Sequence, residues 1–159
     1  KMGTLSKTIP SVGGYIAGSR GIINLLKHAA RGFIFSAAIP PPQAAAAKTA
    51  FEVILDEPDR IGRVQRNAEQ FIGGLKSAGF DTMQSETAIV PVLCGTDEDA
   101  YKMARLCQRE DIFVLPVVSP AVPEGMARLR ATVTAGHNSR QIERALSVLE
   151  KAGKQLGLI

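Results

Sequence analysis

Along the first half of the chain, apolar residues come in short runs broken by glycine and proline. The run Val12 to Ala17, bounded by glycines, predicts a short buried strand of the kind found inside a sheet already under way. Ile22, Ile23, Leu25 and Leu26 supply one face of a helix through "RGIINLLKHAA", and "GFIFS" predicts a brief strand. The prolines Pro40, Pro41 and Pro42 are excluded from a helix interior but suit a first turn, so the alanine-rich segment behind them predicts a helix ending near Pro58. Ile61, Val64, Ala68, Phe71, Ile72 and Leu75 recur at i, i+3, i+4 and i+7, which predicts an amphipathic helix stopping at Gly79. That helix, over 59–79, is placed as a connector between two lobes.

After Gly79 the pattern becomes strand, helix, strand, strand, helix. "TAIVPVLCG" predicts a strand whose Pro91 points to an edge or a bulge. Thr96 followed by Asp99 gives a capping-box-like helix start, with Ala100, Met103, Ala104 and Cys107 on one face. "IFVLPVV" and "ARLRATVTA" predict strands separated by the turn Pro120 to Gly125. In the second, Arg128, Arg130, Thr132 and Thr134 alternate with Leu129, Ala131 and Val133, so both arginines face the same way. A last helix from near Ser139 carries Ile142, Ala145, Leu146 and Leu149 inward, which makes 80–159 a small α+β domain.

Composition adds limits. With 159 residues, 45% of them hydrophobic, the chain can bury one core or two small ones. The net charge is +4, but the basic residues are interspersed with acids, as Arg60, Arg63 and Arg66 are with Asp56, Glu57 and Asp59. Nucleic-acid binders concentrate charge on one face, so no nucleic-acid partner is expected. Cys94 and Cys107 show no metal-ligand spacing and read as buried reduced thiols, which fits a cytoplasmic setting. No apolar run is long enough to cross a membrane as a helix. The chain opens directly into a motif-like segment, which reads as the C-terminal part of a longer protein.

That segment, "GTLSKTIPSVGGYIAG", holds the candidate chemistry. Lys7 sits in a turn of small residues, where partial burial would lower its pKa and free the amine to form a Schiff base with an aldehyde cofactor; the alternative is a solvated loop lysine. Thr4 and Ser6 would offer hydroxyls to a phosphate, and Gly13 and Gly14 would let backbone approach closely. This is the chemistry of pyridoxal 5'-phosphate (PLP).

Three stretches in order, "GTLSKTIPSVGGYIAGS", "RGFIFSAAIPPPQAAAA" and "SPAVPEGMARLRATVTAGHN", resemble the C-terminal half of the α-oxoamine synthase family. The resemblance implies an α/β fold: a fold-type I PLP-dependent transferase, with 1–58 as the C-terminal part of the cofactor-binding large domain and 80–159 as the small C-terminal domain. It implies that Lys7 is the Schiff-base lysine, that Thr4 binds the cofactor phosphate, and that Ser36 reaches the phosphate from a neighbouring subunit in a homodimer; the alternative for Ser36 is a strand-end serine bonding to backbone. It implies that Arg130 holds the amino-acid carboxylate, a task suited to a two-pronged guanidinium. Arg128 is assigned to a structural ion pair, His137 to a loop and capping role, and His28 to a helix position that is exposed or packed. The histidine that stacks on the cofactor ring and the aspartate that pairs with its nitrogen belong to the half that precedes this segment.

One departure stands out: several members carry an arginine just before the proline-rich turn, where this chain has Val117, Val118 and Ser119. The implied reaction is decarboxylative condensation of an amino acid with an acyl thioester, on CoA or a carrier protein, to an α-amino ketone. An aminotransferase of the same fold and a non-catalytic subunit are the alternatives. The proline run after Ser36 favours the condensing branch, and a lysine at position 7 speaks against a subunit without chemistry.

Overall fold

A computed structural model describes all residues, 1–159, and they divide into two compact units, Lys1–Pro58 and Asp59–Ile159. In the first, β1 (Met2–Ser6) and β2 (Pro10–Ile16) form an antiparallel hairpin with Met2 opposite Ile16 and Thr4 opposite Gly14. The register shifts between Thr4 and Ser6. Gly14 is required here, because a Cβ on it would lie 2.5 Å from the Gly3 carbonyl oxygen. The expected buried strand is thus β2 of a two-stranded sheet, and Val12, Tyr15 and Ile16 are exposed. One covering element explains the difference: α3 packs on β2 and buries only Leu5, Ile9 and Ala47, with Ile39, Ala50 and Ile54 at the margin.

Helix α1 (Arg20–Ala29) starts at Ser19, whose hydroxyl accepts the Ile22 N–H. The strand expected in "GFIFS" is instead a helical turn, α2 (Arg31–Ile34). An apolar run as short as Phe33 to Phe35 carries no decisive period. No strand lies alongside it, and the Ala30 carbonyl accepts the N–H groups of Phe33 and Ile34, which sets a helical turn. Helix α3 (Pro41–Asp56) begins as expected, with Pro40 as its N-cap and prolines in the first turn, where their missing N–H costs no intrahelical bond.

The second unit packs α4 (Asp59–Ala78), α5 (Asp97–Arg109) and α6 (Ser139–Leu156) with a three-stranded antiparallel sheet. Its order is β3 (Ile89–Gly95), β5 (Ala127–Thr132), β4 (Leu115–Val117), so Pro91 does lie on an edge strand. Val90, Val92, Leu129 and Ala131 point inward onto Leu75, Met103, Cys107 and Leu149. The helix expected as a connector, α4, packs on α6 inside this unit, where Gly74 lies directly against the Leu146 side chain. Thr96 caps α5 by accepting the Asp99 N–H, and Asn138 with Gln141 forms a reciprocal capping box on α6.

Both thiols are buried in this core. Desolvation pushes Cys94 up to about 11, against an opposing hydrogen bond from the Leu129 backbone, and desolvation does the same to Cys107, reinforced by Cys94. Folded thiols therefore hold their protons at a pH where unfolded thiols have lost them, so stability is full below about pH 9 and falls as pH rises toward 11. Urea midpoints of the full-length protein should drop across that window. The drop should be shallower in the Cys94→Ala/Cys107→Ala variant; parallel curves would assign the loss to other groups.

Candidate functional site

Alternation along β1 decides how the hairpin presents its polar groups. Leu5 is buried, so Thr4 and Ser6 emerge on the opposite side, with their hydroxyl oxygens 2.9 Å apart. The Ser6 N–H also donates to Thr4 Oγ1 at 3.3 Å. The turn is pinned from below by Ile9, and Lys7 stands at its tip, exposed and paired with no carboxylate. The partial burial expected for Lys7 is therefore not supplied by this chain, because the side chains that anchor the turn are Leu5 and Ile9. Thr4, Gly13 and Gly14 line an apolar cavity of ≈ 760 Å³ whose far wall includes Leu26 and Phe33; Lys7 is outside that lining.

Ser36 lies on the bend after α2 rather than at a strand end, and its Oγ donates to the Gly32 carbonyl at 2.5 Å. Its proton is committed to the preceding turn, so to meet a phosphate oxygen, which accepts, the hydroxyl has to rotate away from the Gly32 carbonyl. Lys7, Thr4 and Ser36 all belong to the first unit, and Arg130 to the second.

Arg130 is at the middle of β5, opposite Pro91 on one side and Leu115 on the other. It is exposed and enters no ion pair within the chain. Arg128 shares its face, as the alternation predicts, but the expected ion pair is absent. The guanidinium instead donates from Nε to the Met126 carbonyl at 2.8 Å and from Nη1 to Met83 Sδ at 2.9 Å. Met83, which no motif singled out, is held in the left-handed region at φ 54, with its N–H donating to Asp81 Oδ1 at 2.6 Å. Asp81 two residues ahead is the local signal that could have flagged this Asx-type turn.

His137 has the loop role expected of it. Its Nδ1 accepts the Thr134 N–H at 3.1 Å, and its carbonyl, with that of Thr134, is held by Asn67 Nδ2 on α4. The cap itself is the next residue, Asn138. His28 is exposed on α1. No helix is long and apolar enough to cross a membrane.

Residues 1–149 match the family described as aminotransferase class I and II. An 8-amino-7-oxononanoate synthase of Symbiobacterium thermophilum is 42% identical over all of this chain and 41% of its own length. An 8-amino-7-oxononanoate synthase/2-amino-3-ketobutyrate coenzyme A ligase of Thermus thermophilus is 41% identical over all of this chain and 40% of its own. Among solved structures, a serine palmitoyltransferase from S. paucimobilis, with a bound PLP–myriocin adduct, superposes with a TM-score of 0.92 at 30% identity over 99% of this chain and 40% of that one. The chain thus spans about two fifths of the length of the relatives it matches. Its fold is that of the fold-type I PLP-dependent enzymes. The chain belongs to the aminotransferase class I and II family, in its α-oxoamine synthase branch.

Proposed function

We propose that this chain serves in a PLP-dependent enzyme that condenses an amino acid with an acyl thioester, releasing carbon dioxide and the free thiol to leave an α-amino ketone. The observation that carries the reading is the hairpin turn, where the unpaired Lys7 follows directly on the strand that sets the Thr4 and Ser6 hydroxyls 2.9 Å apart. These residues fit the cofactor: an amine for its aldehyde, adjacent hydroxyls for its phosphate, and a glycine at position 14 where a side chain would collide with backbone. When bound, PLP supplies an electron sink for the charge left on the amino acid's α-carbon.

The chain's own residues do the rest. Lys7 Nζ, once released from the cofactor, takes the proton from the α-carbon of the amino acid. Thr4 anchors the phosphate from the same hairpin, and Ser36 reaches it from the neighbouring subunit of a homodimer, so that the cofactor is held still. Arg130 pairs with the amino-acid carboxylate until that group leaves. The acyl donor is a CoA thioester or one on a carrier protein, and the enzyme works in the cytoplasm.

Borohydride reduction of the full-length enzyme should fix a pyridoxyl group on the peptide containing Lys7, read by mass spectrometry. A label on any other lysine would sink the assignment. For Ser36, mixed dimers are the measurement: a subunit carrying Ser36→Ala, paired with one carrying Lys7→Ala, should restore weakened cofactor retention at only one of the two sites. Retention that follows Ser36 within its own subunit contradicts the shared site.

Arg130→Ala should weaken amino-acid binding by one to two decades, the equivalent of losing a charge-assisted contact of about 1.5–3 kcal/mol, with cofactor binding intact. Arg130→Lys should restore only part, because an ammonium cannot make paired bonds. Equal amino-acid affinity in parent and Arg130→Ala, by spectral titration, rejects the role.

A further inference from the structure

We infer that Arg128 is a second anion-binding group on the outer face of the β3–β5–β4 sheet, so that this face takes a molecule with two oxyanions joined by a short apolar spacer. The inference rests on the reading above for Arg130 and extends it from one anionic group to two.

Three observations carry it. Arg128 is half-buried, yet both of its hydrogen-bond partners, the Met126 carbonyl and the Met83 thioether, are neutral. They orient the guanidinium without cancelling its charge, and more than half of its N–H donors stay free. A partly desolvated cation without an anion is costly unless something else compensates it. Second, the clamp is built at some expense: Met83 holds a backbone conformation that residues with a Cβ rarely adopt, and that turn brings its sulfur to Arg128. Third, Arg128 and Arg130 emerge from one face of β5, two residues apart, about 6.7 Å along the strand.

Their cross-strand neighbours on that face are Leu93 and Val117 beside Arg128, and Pro91 and Leu115 beside Arg130. The surroundings are apolar, and no acidic side chain of the sheet shares the face. A ligand suited to it has carboxylate or phosphate groups at its ends and a few methylenes between them. An isolated monocarboxylate would use Arg130 alone, since Arg128 is drawn back toward Met126 and away from Arg130.

Calorimetric titration of the cofactor-loaded, full-length enzyme with glutarate, butyrate and inorganic phosphate tests this. Glutarate should bind about tenfold more tightly than butyrate, and Arg128→Gln should abolish that preference while leaving butyrate unchanged. Inorganic phosphate should still bind in Arg130→Gln, where Arg128 is the remaining cation of the face, and be lost in the Arg128→Gln/Arg130→Gln double variant. Because Arg128→Gln could disturb folding, Met83→Leu provides a second variant that keeps both charges; it should shrink the glutarate preference by loosening the guanidinium. No preference in the parent, a preference that survives Arg128→Gln, or one untouched by Met83→Leu overturns the inference. Butyrate binding that ignores Arg130→Gln rejects the carboxylate role of Arg130 instead, and the phosphate arm then decides Arg128 by itself.

Discussion

Strand β5 is the constraint on which the second unit depends. It is paired with β3 on one side and, over Arg128 to Arg130, with β4 on the other, so its period of two is enforced where the arginines lie, and a slip of one residue would exchange the faces completely. Leu129, fully buried among the helices, fixes the phase. With Leu129 inward, Arg128 and Arg130 must face outward, and no rearrangement of the loops can turn them in. The core thus does more than stabilise the unit, since it also holds two cations at a fixed spacing on a rigid platform.

The hairpin solves a similar problem with less material. Two strands are marginal by themselves, and β1–β2 gains its anchorage from Leu5 and Ile9 seated against Ala47 of α3. Those two side chains bracket the turn, which leaves the three positions between them to polar or solvent-facing roles. Gly14 allows the strands to approach where Thr4 is paired, so the Thr4 hydroxyl position and the Gly14 backbone are set by one contact. A methyl group there would meet a carbonyl oxygen rather than a flexible side chain, and so could not be absorbed by a rotamer change.

Periodicity made the second unit legible. The spacing of Ala100, Met103 and Cys107, the alternation in β5 and the proline in β3 each have one structural solution, and each found it. The first unit was harder for a physical reason. Glycine-bounded apolar runs such as Val12 to Ala17 signal a strand without saying what covers it, and "GFIFS" is too short for any period to register. Site residues divided along the same line. Arg130 was placed on its face by alternation, but the burial imagined for Lys7 depended on neighbours that a local motif does not encode. The Met83 clamp on Arg128 joins residues 45 positions apart through a sulfur acceptor, and no spacing rule announces such a contact.

The unpaired cations Lys7, Arg128 and Arg130 differ in how each is held. Lys7 and Arg130 are exposed, so leaving them without partners costs little in water, and their side chains stay free to move onto a ligand. Arg128 has given up part of its hydration and is tied down at two atoms. The entropy of fixing that long side chain is spent during folding, before any ligand arrives. A tethered cation therefore loses little further freedom on binding an anion, whereas a free one must be ordered by the ligand itself. The strand face thus combines a preorganised charge with an adaptable one, so that a fixed guanidinium and a mobile one sit two residues apart on the same platform.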